Sequence, residues 1–581
     1  MVSILRPLVT GWVLLFGLAG SAEAQTNSYR LTVFISAEDA DPGRDVHDLP
    51  DSLAVYDLSR KLLDSLYWEG YLDAKDSLRF FGDRNAHLYL DAREQYTWLV
   101  LSRGNLEHWM LPSASQVGFP IQDKPFRFRE LRSLIEKILS QGQNNGYPFM
   151  EVSLDSVRIR QDRRVAAGLR VEKGPWISFD TLQITGNSRT QSLFLGRKLR
   201  MVPGEPFSQK RVDQALEGLR NIPYLRLEGN PEISFQNEEA TVYLPVNDRK
   251  INRLDGIIGL LPNEIEANKW LVTGQFDLHL ANVSGRGRDY SLNWQRLSQY
   301  SQNLRVAARE PFLFGSQLDL GLSFAFLKED TTFLNREFEL HVGYQVAANT
   351  YLRFFGKRQA GDLLDVSRYS DASALPEVAD YRYTNYGATL EFSDVDDILM
   401  PRSGWQGFLR LGIGNKRLVE NTGLPPELYE EAWQNTLQYY LQGNLQRYFR
   451  WNQSLSTKFS LDAGDMYNKN LFLNDLFRLG GLKSIRGFNE NFFYASRYAY
   501  LTVEPRYYIG NESYFLLFSD VGMLENRVSG QKRQWPLALG GGLSLETSGG
   551  IFTFVYALGQ AADQPMTVAY SRVHFGFTSR F

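Results

Sequence analysis

The sequence predicts a transmembrane β-barrel of about sixteen antiparallel strands, preceded by tandem small α/β modules. Three observations carry this expectation. The composition is rich in aromatics and glycine, with 37 Phe, 30 Tyr, 11 Trp and 48 Gly, yet the mean hydropathy is −0.32. That combination fits many two-faced strands better than membrane helices, which need apolar runs of about 20 residues. The second half of the chain alternates apolar with polar residues at period two, and the first half repeats a helix, Gly-aromatic, strand, strand unit about every 75 residues.

Taken in order, residues 1–24 read as a signal peptide. Arg6 precedes the apolar run from Pro7 to Gly20, and Ala22-Glu23-Ala24 supplies the small-x-small pattern of a cleavage site, which predicts an exported mature chain. There is no cysteine, so disulfides, thiolate metal sites and a lipidated N-terminal Cys are excluded. A net charge of −3 and a pI of about 6.2 leave no basic footprint for nucleic acid. His47, His87, His108, His279, His341 and His574 have no ligand spacing, so neither a metal nor another cofactor is expected.

Three modules are expected at 25–95, 96–174 and 175–250, the first divergent. In the second, Leu131, Leu134, Ile135, Ile138 and Leu139 recur at helical spacing, followed by Gly146-Tyr147 and strands at Met150 to Ile159 and Val165 to Val171. The third has a strand from Trp176 to Ile184, then Gly186-Asn187-Ser188-Arg189-Thr190, where Ser or Thr is placed to cap a helix. Pro203-Gly204-Glu205 opens a further helix with Val212, Ala215, Leu216 and Leu219 on one face, and two strands close the unit. In the first, Leu31 to Ile35, Leu53 to Tyr67, Gly70-Tyr71, Leu78 and His87 to Asp91 repeat that order.

From 251 to 581 the expected element is the barrel, with strand starts near 252, 269, 287, 302, 316, 332, 350, 383, 404, 433, 452, 496, 513, 534, 550 and 568. Short connections such as Val283 to Gly287 and Ala347 to Thr350 alternate with long insertions at Gly361 to Asp380, Lys416 to Glu431 and Asp465 to Ser496, as two ends of unlike loop length require. Asp394 to Gly404 is longer than the other short connections; its Asp396 and Asp397 read as turn caps rather than an acid-base pair. The last strand puts Ala569, Ser571, Val573, Phe575, Phe577, Ser579 and Phe581 on one face, and Tyr570, Arg572, His574, Gly576, Thr578 and Arg580 on the other.

The candidate site is the loop Leu479-Gly-Gly-Leu-Lys-Ser-Ile-Arg486-Gly487-Phe488. Beyond it, alternation places Glu504 and Arg506 on one strand face with Tyr500 and Thr502, and Phe518 and Asp520 on one face of the next strand. A lipid-facing Arg or Lys at mid-depth costs about 2–4 kcal/mol, so these charges face the lumen. Arg486 then has two natural partners: the Phe518 ring by cation–π contact and Asp520 by a charge-assisted hydrogen bond. Pro505 lacks a ladder donor and predicts a local irregularity.

The spacing of Gly146-Tyr147, Val171-Glu-Lys-Gly174-Pro175, Ile184-Thr-Gly186-Asn187 and Pro203-Gly204-Glu205 resembles the POTRA domain, which implies the β-α-α-β-β order for the modules. The Ile-Arg486-Gly487-Phe488 loop with Phe518-Ser-Asp520-Val-Gly522 resembles the barrel of the BamA/TamA superfamily of outer-membrane assembly and translocation proteins. The terminal Phe581 with Gly576 resembles that class's C-terminal signal, although Ser579 stands where an aromatic is usual. The resemblance implies an inward-folded loop received by Phe518, Asp520, Gly522 and Glu504, periplasmic modules that bind extended segments by β-augmentation, and an outer-membrane location.

The function so implied is assembly of β-barrel clients, closest to TamA. An incoming strand would pair at a weakened seam between the first strand, with Gly256 and Gly259, and the last, with Gly576 and Phe581. Expected partners are unfolded outer-membrane or secreted clients, a periplasm-spanning TamB-like protein and outer-membrane lipids, with no catalysis. A two-partner secretion transporter, and behind it a passive porin, are the alternatives. For Arg486, filling the barrel and handling the client stand side by side as roles.

Overall fold

The computed structural model describes residues 28–37, 40–111, 119–262, 270–296, 300–347, 349–369, 372–430, 432 and 434–581. The expected signal peptide lies outside the described residues. The chain divides into two compact units: one runs through Phe179 and includes 204–210 and 235–240, and the other comprises 180–203, 211–234 and 241–581.

In the first unit, β1 (Tyr29–Ala37), β2 (Ala40–Leu49), β3 (Lys75–Phe81) and β4 (Asn85–Asp91) form a sheet of order β2-β1-β4-β3. The helix α1 (Ser52–Trp68) starts at Asp51, whose carboxylate accepts the Ala54 N–H at 2.7 Å and satisfies an otherwise unpaired helix-start donor. The expected strand, helix and two closing strands are all present, and the structure adds the hairpin strand β2 between the first strand and the helix. The second sheet is β5-β7-β6, built from β5 (Thr97–Ser102), β6 (Glu151–Ile159) and β7 (Arg164–Glu172). Its helix α2 (Phe128–Gln143) buries Leu131 and Ile138 against Trp98, Leu101 and Leu169, the residues its apolar spacing selects.

A third sheet has the order β10-β11-β8, from β8 (Ser178–Ile184), β10 (Glu232–Gln236) and β11 (Glu239–Leu244); β9 (Leu225–Leu227) pairs with β12 (Val246–Asp248). Two helices, α3 (Ser192–Lys198) and α4 (Gln209–Arg220), accompany it. The expected Ser or Thr cap of α3 is not found. Gln191 occupies the cap position without a side-chain bond, and its N–H is satisfied by the Gly285 carbonyl at 2.8 Å. Ser188 instead accepts the Thr190 N–H at 3.1 Å and donates to Asp248. Phe194 of α3 packs edge-on against Phe312, with ring centres 5.6 Å apart.

The rest of the second unit is a closed antiparallel barrel. Its strands are β13 (Arg253–Pro262), β14 (Trp270–Val283), β15 (Arg288–Arg296), β16 (Gln302–Glu310), β17 (Leu318–Glu329), β18 (Phe333–Ala347), β19 (Thr350–Leu363), β20 (Tyr381–Val395), β21 (Gly404–Leu418), β22 (Asn435–Arg450) and β23 (Leu455–Tyr467). After a small hairpin, β24 (Phe477–Leu479) with β25 (Phe493–Ala495), come β26 (Arg497–Tyr508), β27 (Tyr514–Asn526), β28 (Gln531–Gln534), β29 (Leu537–Thr547), β30 (Gly550–Gln560) and β31 (Arg572–Arg580). β28 and β29 are one strand interrupted at Trp535-Pro536, where proline has no N–H for the ladder. With that pair counted once, the barrel has the expected sixteen strands.

Pro505 also leaves its mark. β26 and β27 pair through Val503–Ser519, skip Glu504 and Pro505, and resume at Arg506–Leu516. The last strand is shorter than its alternation implies: Val568–Tyr570 form a single 3-10 turn, and β31 starts at Arg572. Within β31 the two expected faces do separate, with Val573, Phe575 and Phe577 exposed and His574 and Gly576 less so. On this strand apolar residues thus face outward and polar ones inward, while interstrand pairing is what satisfies backbone groups in lipid.

The long insertions fold over the lumen. Val378, Leu424 and Phe472 from three of them pack with Phe333, Leu363 and Leu418 of the strands. Beneath them Lys416 and Asp475 form a buried ion pair, the ammonium lying 4.7 Å from the Tyr381 ring centre and 4.6 Å from that of Phe472.

Candidate functional site

The loop between β23 and β26 turns inward because its two glycine positions permit what other residues resist. Gly480 and Gly481 have φ of 114° and 91°, and the Ser484 hydroxyl closes the turn by accepting the Gly480 N–H at 2.8 Å and donating to the Gly480 carbonyl at 2.9 Å. Ile485 and Phe488 are fully buried among Leu479, Phe493, Tyr498, Tyr500 and Phe518, so the loop has an apolar core of its own on the barrel wall.

Arg486 is set between them. Its backbone N–H and Nε bond Asp520 Oδ2 at 3.1 and 2.9 Å, a terminal nitrogen bonds Asp520 Oδ1 at 2.7 Å, and the other terminal nitrogen pairs with Glu504. The guanidinium also lies over the Phe518 ring. Asp520 has no exposed surface and takes a further bond from the Thr502 hydroxyl at 2.8 Å. Glu504 accepts from Arg506 Nε at 2.8 Å, and Arg506 stands 5.1 Å from the Tyr514 ring centre. Buried charges persist only when paired and hydrogen-bonded, and here two carboxylates and two guanidiniums balance.

Gly487 and Gly522 are needed for close approach. Gly487 has φ of 82°, and a Cβ there would sit 2.7 Å from the Gly559 nitrogen of β30. Gln564 clamps this contact, donating to the Gly487 and Gly559 carbonyls at 3.0 Å each. A Cβ on Gly522 would crowd Pro536, Ile485 and Tyr500 at 3.2–3.3 Å. Sequence reasoning had not singled out Gln564 or Gly559, nor Gly540, whose missing side chain leaves room for the Phe518 ring. Nothing local marks them, since each acts only through a segment distant in the chain.

The four seam residues lie on the first and last barrel strands, β13 and β31. β13 and β31 pair only at Arg253–Arg580 and Leu254–Ser579, with one more bond from the Phe581 N–H to the Asn252 carbonyl at 3.2 Å. By contrast β13 pairs with β14 from Arg253 to Pro262, and β30 with β31 from Gly550 to Ala557. Gly576 faces open space. Gly256 does not: the Phe276 ring of β14 lies 3.3 Å from where its Cβ would be. Gly259 sits opposite Thr273. Arg580 is tied by an ion pair to Glu512, so the closed end of the seam is the one beside the chain terminus.

Compared with known proteins, residues 282–581, just over half of the chain, match the model of the Omp85 superfamily domain. Among solved structures, CdiB from Escherichia coli is 12% identical, with a TM-score of 0.56 over 91% of this chain and 96% of that one. CdiB from Acinetobacter baumannii is 14% identical, with a TM-score of 0.51 over 91% and 97%. BamA from Haemophilus ducreyi lacking POTRA domains 1-3 is 16% identical, with a TM-score of 0.41 over 84% and 100%. The two CdiB likenesses are of fold. No curated protein sequence matches the chain.

Proposed function

Because the chain belongs to the Omp85 superfamily of the outer membrane, we propose that it is an assembly factor that inserts β-barrel clients at the junction of β13 and β31. The observation that carries this reading is the ladder itself. From Asp255 to Pro262 the outer edge of β13 has no strand partner among the described residues, although its inner edge is fully paired. An unpaired edge is a template for another strand, and in lipid each unmade backbone bond costs several kcal/mol. An incoming strand would satisfy those groups and would displace only two ladder pairs to do so.

The small sheets would receive clients before that step. Their edge strands offer main-chain donors and acceptors that take extended segments without strict sequence demands. At the seam, Gly256, Gly259, Gly576 and Phe581 would be the residues a client strand meets. The loop residues Arg486, Gly487 and Phe488, with Glu504, Arg506, Phe518, Asp520 and Gly522, would hold the neighbouring wall in shape while the seam yields.

Export of one dedicated protein through the lumen makes a different demand. It would leave the unpaired edge of β13 without a use. Depletion of the protein followed by a proteome of the outer membrane separates the two. Loss of many barrel proteins is the result expected of an assembly factor; loss of a single secreted protein, with barrels unchanged, would overturn that reading.

A further inference from the structure

The outward face of β18 to β21 is apolar along most of its height and basic at one end. Where these strands meet the long insertions, the ladder sets Arg336 opposite Ala360, Ala360 opposite Arg382, and Arg382 opposite Arg417. Alternation gives them, and Arg358 of β19, the same face as the exposed Phe338, Phe354, Tyr386 and Leu411. All four arginines therefore point out of the barrel. The turn after β14 receives the Gln191 N–H of α3 through its Gly285 carbonyl, which makes that end periplasmic; the arginines lie at the other.

An aromatic row fixes their height. Tyr386 is in register with Ile413, then Tyr439 and Tyr467, the last two rings stacked with centres 5.2 Å apart. Such a girdle marks the edge of the apolar layer. Arg382 is four residues further along the strand, roughly 14 Å, which the strand tilt reduces to about 10 Å of height. That is the headgroup layer of the outer leaflet.

The protein itself does not neutralise this patch. Its one carboxylate, Asp362, is shared between Arg336 and Arg382, the latter at 2.8 Å. Asp380 accepts from the Leu363 N–H and Asn421, and Glu420 from Gln434 at 3.3 Å, so neither pairs with the arginines. Arg358 and Arg417 are exposed, and their side chains make no hydrogen bond or ion pair among the described residues. Hydration would suffice for a single arginine at a barrel rim. It leaves the directly opposed Arg382 and Arg417 repelling each other, and an anion between them removes that repulsion.

We propose that this patch binds a phosphorylated glycolipid of the outer leaflet, one whose sugar headgroup carries two phosphates. Arg336 and Arg417 are three strand spacings apart, roughly 14 Å, a span for two phosphates rather than a single phosphodiester. Arg336 with Arg358 receives one phosphate and Arg382 with Arg417 the other, each guanidinium offering paired N–H donors. The acyl chains lie along Phe338, Phe354 and Tyr386. The site is independent of what the barrel does with its clients.

Native mass spectrometry of the full-length mature protein in detergent, titrated with bisphosphorylated lipid A, tests this. Arg358→Gln or Arg417→Gln should each weaken retention about five-fold, and the two together about thirty-fold. Neither side chain bonds within the protein, so the variants should fold, as heat-modifiable gel mobility verifies. Arg447→Gln, which removes a cation stacked over Trp405 on the same face at the periplasmic end, should leave retention unchanged. Lipid A stripped of both phosphates, and phosphatidylglycerol, should be held more weakly than the bisphosphorylated form. Equal retention by the double variant and the unaltered protein overturns the site. Equal retention of either of those two lipids, or release of lipid A by millimolar inorganic phosphate, overturns the glycolipid as its occupant.

Discussion

The guanidinium carbon of Arg486 lies 3.6 Å from the centre of the Phe518 ring, close enough for the ring face to stabilise a cation that two carboxylates already neutralise. Arginine meets both demands because its planar group stacks and forks at once, whereas lysine offers only a point charge. Arg486→Ala strands Asp520 in a fully buried site. The expected destabilisation is about 3–5 kcal/mol, read as a lower midpoint of heat-modifiable gel mobility. Arg486→Lys should fall between. Arg486→Ala with Asp520→Ala should recover much of the loss; if it restores barrel stability but not insertion, the arginine acts on the client path, and if it restores both, its role is to hold the barrel.

Asp397, in the turn after β20, binds Arg249 at 3.1 Å and accepts the Leu399 and Met400 N–H groups at 2.8 and 3.1 Å. Burial alone would raise its carboxyl, but the two amides and Arg249 outweigh that and hold it below the ordinary value. A carboxylate depressed on folding contributes stability that is present above the unfolded value, near 4, and lost as pH falls through the folded one. Limited proteolysis of the 396–403 turn should therefore accelerate as pH drops below about 4, and Asp397→Asn should abolish that dependence while raising cleavage at neutral pH.

The side chain of Lys198, at the end of α3, makes no hydrogen bond or ion pair among the described residues. Burial, and next the positive charge of Arg309, bring its ammonium down to about 8. A lysine depressed on folding loses its proton early, so its amine should acylate with a midpoint near pH 8, while ordinary lysines need about two units more. Mass-spectrometric labelling across pH 7 to 10 measures this. Labelling of Lys198 in step with the exposed lysines would contradict it.

Much of the barrel was legible from alternation, because strand faces in a membrane are sorted by solvent. Tyr498 to Tyr508 shows it: each residue assigned inward, from Tyr500 to Arg506, is buried. The neighbours of Arg486 were legible as well, since Phe518 and Asp520 lie on one face of one strand. Ladder length was not. Alternation in the last strand continues back to Ala569, while pairing with β30 begins only at Arg572, and period two says nothing about which backbone bonds are made. Gln564 and Lys416 were invisible for another reason. Their partners, Gly487 and Asp475, are 77 and 59 residues away, and only the folding of the insertions brings them together.

Gly287, in the turn after β14, has φ of 68°, and a Cβ there would overlap the Phe194 ring of α3. Gly287→Ala should loosen α3 from this turn by about 1–3 kcal/mol, combining overpacking with backbone strain. Hydrogen exchange over 191–199 is the measurement. Adding Phe194→Ala should relieve the overlap but not the strain, so protection should return only in part.

The most direct test of the central claim is a lock on the seam. Leu254 and Ser579 are ladder partners, at the Cα spacing of about 4.5–5.5 Å that a disulfide accepts, and the chain has no other cysteine to interfere. In Leu254→Cys/Ser579→Cys protein reconstituted in lipid vesicles, oxidation should abolish insertion of an unfolded barrel client, and reduction should restore it. Insertion at the full rate with the disulfide formed would show that the two strands need not part, and would contradict the account.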